Sequence, residues 1–386
     1  MAHGEKSVII ATGLAMFSMF FGAGNVVFPL ALGQIAQDQN FYAILGMLIT
    51  AVGVPFVGLM AMMLFDGDYD AFFARIGKLP GFLVVLFIMG LIGPFGAIPR
   101  CIALSYSTAK IFLPDVFSLP VFSIISCMVI WLFTIKRNSI IDTLGYVLTP
   151  LLIGSLAIII VKGVFTAPSA PETDHGVLMI FLKGLRDGYQ TMDLLGAFFF
   201  SSVIIECLRD GMDYKNVSHH RLMKTIFKSV MIGAFLLSIT YIGFSYVAAF
   251  HSETLEGIPS DELISLVAIH ILGPNAAIVA CLAVVLACLT TAIALTAVFA
   301  EFIHKDIAFD KINYNSSLIL TLIAAFLVST LDFKGIVGLL APILQICYPA
   351  LLVLSLLNIF YKLYDFKPVK APVLITLILS IGAYFI

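Results

Sequence analysis

Long apolar runs alternate with short polar connections along the whole chain. Eleven runs reach or approach the length needed to cross the hydrocarbon core of a bilayer, for which about 20 residues suffice. They are 8–33, 41–65, 81–112, 120–135, 141–164, 183–207, 227–250, 274–303, 316–331, 336–359 and 370–386. The fourth, ninth and eleventh are the short ones. Each predicts an α-helix, because a segment in lipid has to satisfy its own backbone N–H and C=O groups. The pattern predicts an all-α polytopic membrane protein of about eleven transmembrane helices, forming one transmembrane domain over residues 1–386.

Two runs carry breaks in the pattern at mid-depth. The first contains Phe20-Phe21-Gly22-Ala23-Gly24-Asn25-Val26-Val27-Phe28-Pro29. Glycine lowers helical preference, and Pro29 has no N–H for the carbonyl one turn back. A helix broken here leaves polar backbone groups at the membrane midplane, where lipid cannot satisfy them. Two readings fit: a kinked span packed closely through its small residues, or half-helix ends that build a substrate and ion site. The sixth run is interrupted in the same way, at Gly188-Tyr189-Gln190-Thr191-Met192-Asp193-Leu194-Leu195-Gly196-Ala197. If it corresponds to the first, the repeat unit is five spans. Five is odd, so 183–359 enters the membrane from the opposite side to 8–164. The expected plan is a 5+5 inverted repeat with discontinuous helices 1 and 6 and an extra helix at 370–386. It rests on the span count, without a residue-level repeat.

Composition excludes a soluble domain: 61% of the 386 residues are hydrophobic and 11% charged, against roughly 25% charged in soluble proteins. The Lys and Arg distribution sets orientation. Basic residues concentrate on alternate connections, among them Lys6, Arg75, Lys78, Arg209, Lys215, Arg221, Lys224, Lys305, Lys362 and Lys367, while the intervening ones hold few, such as Lys110 and Lys162. The N-terminus is expected on the cytoplasmic side and, with eleven spans, the C-terminus outside. No cleavable signal peptide is read, and the six cysteines lie in apolar runs as packing residues. The acidic connection 251–273 reads as a solvated loop, with an amphipathic surface helix through Leu255, Ile258, Leu263, Ile264 and Val267 as the alternative.

Polar residues inside spans are costly and mark function. Asp193, in the sixth run, suits a cation, a proton or a substrate amine. Arg100 lies in Gly93-Pro94-Phe95-Gly96-Ala97-Ile98-Pro99-Arg100, a distorted third span, and either pairs with an acid or lines a watery path. Glu206 and Glu301 read as interfacial. Thr290 and Thr291 on the eighth run either bond back to a carbonyl one turn earlier or offer oxygens to a hard cation. The tenth run holds Pro342 and Pro349, which predict a doubly interrupted, bending helix, with Gln345 and Tyr348 as minor site candidates.

The segments around Gly22, Pro94–Arg100, Gly188–Asp193, Leu286–Ile293 and Pro342–Pro349, in that order along nearly the whole chain, resemble the signatures of the bacterial branched-chain amino acid:cation symporters. The chain departs from that pattern in being shorter than the usual twelve-span members and in having Phe198-Phe199-Phe200 where a small residue would follow the aromatic. The resemblance implies a fold similar to the leucine transporter, with an amino acid held between spans 1, 3, 6 and 8. It places the substrate carboxylate at the N–H groups of Ala23, Gly24 and Asn25, where a half-helix N-terminus offers positive dipole. Thr191, Asp193, Gly196 and Ala197 would line the same site from the sixth span. It also implies a Na⁺ on the carbonyls of Ser18, Phe21 and Ala287 and the hydroxyls of Thr290 and Thr291, and a second cation near Phe20 and Asn25. Arg100, Pro99, Pro342 and Pro349 are structural or gating candidates.

The function so implied is Na⁺-coupled uptake of Leu, Ile or Val across the bacterial inner membrane by alternating access. The rocking body would be spans 1, 2, 6 and 7. No cofactor is expected beyond the co-transported ion, and neither nucleic acid nor an obligate protein partner. H⁺ coupling through Asp193, or another neutral amino acid, is the alternative within the fold. A membrane enzyme is the rival from another class, and the seven histidines form no metal or nucleophile constellation for it.

Overall fold

The computed structural model describes residues 2–114, 116–135, 140–211 and 219–385, with side-chain surroundings for all of these except 2–7, 140–151, 202–203, 206–211 and 219–223. Glu206 and the His219-His220 pair are outside that side-chain set. The apolar runs fall on helix, and no strand occurs among the described residues. Five apolar stretches, Ala23–Met63, Lys78–Phe112, Lys224–Phe250, Pro274–Ile307 and Asp332–Tyr364, are long enough to cross a membrane, and shorter apolar helices accompany them.

Three of the expected spans are each two helices. The first is α1 (Ala2–Phe20) and α2 (Ala23–Ala36), the third is α6 (Lys78–Ile92) and α7 (Ala97–Ala109), and the sixth is α10 (Val177–Tyr189) and α11 (Asp193–Gly211). The second span runs from α3 (Asn40–Leu48) through a π turn at Ile49–Gly53 into α4 (Val54–Met63). Pro55, which has no N–H to donate to the Ala51 carbonyl, accounts for the local widening. The remaining long elements are α8 (Leu119–Ile135), α9 (Ile140–Phe165), α12 (His219–Phe250), α14 (Pro274–Phe302), α15 (Tyr314–Ser329), α16 (Asp332–Tyr364) and α17 (Lys370–Phe385). A short α5 (Tyr69–Phe73) precedes α6.

The helices pack in two groups. In one, α12 lies along α1 and α2, α10 along α3, and α11 along α4. In the other, α14 lies against α7, α8, α9 and α15. Glycine permits the closest approach in the first group. A Cβ on Gly184 would stand 2.1 Å from the Ala43 carbonyl oxygen, and one on Gly46 2.3 Å from that of Phe181. Backbones of α3 and α10 therefore touch directly, as small residues allow in membrane proteins.

Two expectations are corrected. The tenth span is not interrupted: α16 runs through both Pro342 and Pro349 as one helix. Each proline removes one hydrogen bond, from the carbonyls of Gly338 and Gln345, while the bonds on either side persist. Packing of α16 on α4, α7 and α17 holds the axis. The 251–273 connection is not a solvated loop. Its second half forms α13 (Leu263–Leu272), which buries Leu263, Ile264, Val267, Ala268 and Ile271 against α14, α9 and α2. Ser107 on α7 donates to Asp261, Gln34 on α2 donates to the Leu255 carbonyl, and Lys110 lies 3.7 Å from Glu262. The connection is thus fastened to both helix groups. Glu301 sits at the end of α14, paired with Lys305 at 2.7 Å.

The backbone contact between α3 and α10 predicts that Gly184→Ala will lower unfolding free energy by about 1–3 kcal/mol through overpacking. Gly154→Ala, inside α9 where a Cβ meets nothing within 4 Å, should not lower it and should raise it by up to about 1 kcal/mol. Thermal unfolding in detergent, followed by size-exclusion chromatography, compares the two.

Candidate functional site

The first break is short and capped by its own sequence. The Phe21 amide closes α1 on the Phe17 carbonyl at 2.8 Å, and Gly22 turns extended. The Gly22 amide then donates to Asn25 Oδ1 at 3.1 Å, while the Asn25 amide donates back to the Gly22 carbonyl at 3.2 Å. A residue that caps its own helix in this way fixes where α2 begins. The Asn25 N–H, expected to be open to a substrate carboxylate, is spent inside the turn. Pro29, inside α2, leaves the Asn25 carbonyl without its usual donor one turn on.

The second break is tighter. Thr191 and Met192 donate their amides to the Gly188 and Tyr189 carbonyls at 3.4 and 3.2 Å, and Thr191 Oγ1 donates to Gly188 at 3.0 Å. Met192 takes a left-handed conformation, φ +65°, which is strained for a residue with a side chain. That turn delivers Asp193 as the first residue of α11. A carboxylate in the first turn is favoured by the helix dipole.

The two breaks meet. Asn25 Nδ2 donates to Asp193 Oδ1 at 3.0 Å and Oδ2 at 2.8 Å. Tyr241, on α12, donates to Asp193 Oδ2 at 2.9 Å and also contacts Asn25 Nδ2. Asn25, Asp193 and Tyr241 are all buried. Every donor the structure gives Asp193 is neutral, and no cation lies within ion-pair distance of it among the described residues.

The third span contributes Arg100. Gly93 and Gly96 bracket the break before it, and the Gly96 side approaches so closely that a Cβ would stand 2.1 Å from the Leu91 carbonyl. Pro99 is the third residue of α7, where no helical acceptor is available for an N–H, so it starts the helix without distorting it. Arg100 Nη1 donates to the Gln190 carbonyl in the second break at 2.9 Å. Phe28 and Phe333 lie under the guanidinium, 5.0 and 5.6 Å from ring centre to Cζ, a stacking that suits a cation.

A cavity, partly open to solvent, lies where these elements converge. Its polar wall is made by Gly24, Asn25, Arg100, Thr191 and Asp193, and its apolar wall includes Met19, Phe20, Ile92, Phe200 and Leu295. Ala23, Gly196 and Thr291 also line it. Ala197 does not; it is fully buried behind the wall. Phe200, one of the residues where a small side chain was expected, packs edge-on to Phe20, 5.6 Å between ring centres.

The expected cation ligands lie on α1, the first break and α14. Thr290 and Thr291 donate their hydroxyls to the Ala287 carbonyl at 2.9 and 3.0 Å, so the local back-bonding is present. It occupies the hydroxyl protons and leaves oxygen lone pairs free. Thr291 faces the first break, its methyl 3.7 Å from where a Gly22 Cβ would stand. Phe21, next to it, is buried and stacked on Phe17, 5.1 Å between ring centres. Ser18 lies one turn earlier, half-buried. Tyr348, a minor candidate, is buried against Tyr189, 4.9 Å between ring centres. Gln345 is half-buried on α16, and Pro342 and Pro349 are absent from the cavity lining.

Sequence reading missed Tyr241. It stands in α12 among apolar and hydroxyl residues with no break or charge beside it, so only the tertiary contact identifies it.

Residues 5–385 match the family model described as branched-chain amino acid transport protein. The branched-chain amino acid permease BrnQ of Bacillus subtilis (strain 168) is 30% identical over 377 residues, 94% of this chain and 83% of the permease. A putative branched-chain amino acid carrier protein of Staphylococcus aureus (strain USA300) is 28% identical over 96% of this chain and 86% of its own length. Among solved structures, Mhp1, a nucleobase-cation-symport-1 family transporter, superposes with a TM-score of 0.67 in a closed conformation with bromovinylhydantoin bound, at 14% identity, over 97% of this chain and 91% of that one. In an inward-facing conformation it superposes with 0.65, at 15% identity, over 97% and 90%.

The Asp193 cluster predicts that Tyr241→Phe, which removes one hydroxyl and no ring, lowers unfolding free energy by about 1–3 kcal/mol, because a buried carboxylate loses a donor. The melting temperature of the purified variant checks it.

Proposed function

The chain belongs to the branched-chain amino acid transport protein family, and from that premise we propose that it is a Na⁺-coupled symporter taking up Leu, Ile or Val. It is a transport protein of leucine-transporter-like fold and not an enzyme. The observation that carries the proposal is the cavity between the two broken helices, polar on one wall and apolar on the other. Such a cavity suits a small molecule with a charged head and an aliphatic tail, and its place at the ends of discontinuous helices is where transporters of this kind bind their cargo.

In this reading the amino acid head lies at Ala23, Gly24 and Asn25, with Thr191, Asp193 and Gly196 facing it across the second break, and Ala197 backing that wall. Asp193 takes the ammonium. Na⁺ lies between the first break and α14, on the carbonyls of Ser18, Phe21 and Ala287 and the hydroxyl oxygens of Thr290 and Thr291. The placing of Thr291 and Gly22 together in the cavity lining supports that position. A second cation near Phe20 and Asn25 competes with the Asn25–Asp193 bonds. Cation and substrate favour the same closed state, so each raises affinity for the other. The group formed by α1–α4 and α10–α12 is the body that rocks, with 8–164 and 183–359 as inverted repeats. The membrane is a bacterial inner membrane, with the N-terminus cytoplasmic.

H⁺ coupling is the second reading, favoured by a buried Asp193 carboxylate held by neutral donors alone.

Leucine uptake into proteoliposomes under an imposed Na⁺ gradient tests the proposal. Accumulation should collapse with a Na⁺ ionophore; accumulation under a proton gradient alone would move coupling to Asp193. Thr290→Ala with Thr291→Ala should abolish the Na⁺-dependent component, a loss of about 10²-fold or more in Na⁺ affinity if two of five oxygen ligands go, in protein that still elutes as a folded species. Retained Na⁺ coupling in that variant overturns the cation position.

A further inference from the structure

Arg100 is 2% exposed, yet two of its three side-chain nitrogens are unmet. Nη1 is bonded to the Gln190 carbonyl, while Nε and Nη2 have no partner. These two nitrogens share one edge of the guanidinium, the edge whose parallel N–H groups grip a carboxylate in fork geometry. No carboxylate lies within ion-pair distance among the described residues. Asp193, the nearest candidate by position in the fold, is engaged with Asn25 and Tyr241. An unpaired charge buried in this way is costly, so the edge is unlike an ordinary structural arginine.

The surroundings say what would relieve it. Arg100 lines the cavity, and Nη2 lies 3.1 Å from where a Gly24 Cβ would stand, so only a residue without a side chain lets α2 pack this closely on that edge. The same absent atom would be 3.0 Å from Thr191 Cα. Two further buried polar atoms without partners adjoin the second break: Gln190 Oε1 and the hydroxyl of Tyr348, whose ring packs on Tyr189. The cavity thus presents one buried cation and one buried anion, neither in an ion pair. A zwitterion meets both and adds no net charge.

The geometry points to the Nε–Nη2 edge of Arg100 as the anchor for the α-carboxylate of the transported amino acid, with Asp193 opposite it for the ammonium. This inference rests on the transport reading above and shifts the carboxylate from the α2 backbone amides to a side chain on the third span. Both nitrogens are closed to solvent in this conformation, so a carboxylate reaches them only when α2, α7 and the second break part, and once they close over it the carboxylate satisfies donors otherwise sealed in unpaired. Its binding therefore favours a closed arrangement of α2, α7 and the second break over an open one.

Titration calorimetry of the purified full-length protein in Na⁺ buffer, with leucine and with leucinamide, tests it. Leucinamide keeps the ammonium and the side chain and replaces the carboxylate by a neutral amide. Wild type should prefer leucine by about 100-fold or more; Arg100→Gln should lose about 10²–10³-fold in leucine affinity and bring the preference to within about fivefold. Arg100→Lys, which keeps the charge without the fork, should fall between. A wild-type preference retained in Arg100→Gln overturns the inference in favour of the backbone amides. Restored leucine binding in Arg100→Gln with Asp193→Asn overturns it in favour of an Arg100–Asp193 pair formed in another state. Should Arg100→Gln aggregate, the wild-type preference together with a loss of at least about tenfold in Arg100→Lys supports the inference, and a wild-type ratio near one, or unchanged affinity in Arg100→Lys, overturns it. If wild type binds no leucine, the branched-chain reading fails by itself. The acid-to-amide ratio measured with alanine, methionine and phenylalanine then decides Arg100, and absence of binding by all of them overturns it.

Discussion

Where the first and sixth spans break, their freed polar groups are joined through one side chain, the amide of Asn25. Its oxygen takes the Gly22 amide and its nitrogen reaches the Asp193 carboxylate on the other break. In the low dielectric of the membrane interior, hydrogen bonds to a charged group are strong and unmet ones are costly. The break in α1–α2 is therefore tolerable only beside the break in α10–α11. Each discontinuity supplies the partner the other lacks, and Tyr241 on α12 completes the set. The cavity exists because two helices stop at the same depth and face each other.

Around that junction the helices divide into two packed groups. The α3–α10 contact is backbone to backbone through Gly46 and Gly184, which ties the second span to the half of the sixth that leads into its break. Across the seam, α7 and α14 carry Arg100 and Thr291 to the cavity. A ligand in the cavity touches both groups. That is the physical condition for binding to alter how they sit against each other.

Much of this was legible from residue order. Hydropathy placed the helical segments, and Gly22, Gly24 and Asn25 marked the first irregularity, which residue order alone left open between a close-packed kink and a true break. Asp193 stood out because charge in lipid is costly. The prolines misled in α16, where missing single hydrogen bonds are absorbed by packing on α4, α7 and α17. The acidic 251–273 connection also misled: its glutamates and Asp261 pointed to solvent, while the apolar stripe of α13 found a surface to bury against.

The sequence by itself determined the all-helical membrane class, the positions of two interrupted spans and the identity of the charged residues inside them. Those follow from local rules, because lipid forbids unpaired backbone groups and penalises charge wherever it falls along the chain. The tertiary structure alone decided the partners: that Asn25 bonds Asp193, that Tyr241 joins them, and that one edge of Arg100, a residue of the cavity lining, is buried unpaired. Hydrogen-bond pairing between residues 168 positions apart depends on how whole helices cross. No local pattern of hydrophobic and polar residues encodes that crossing.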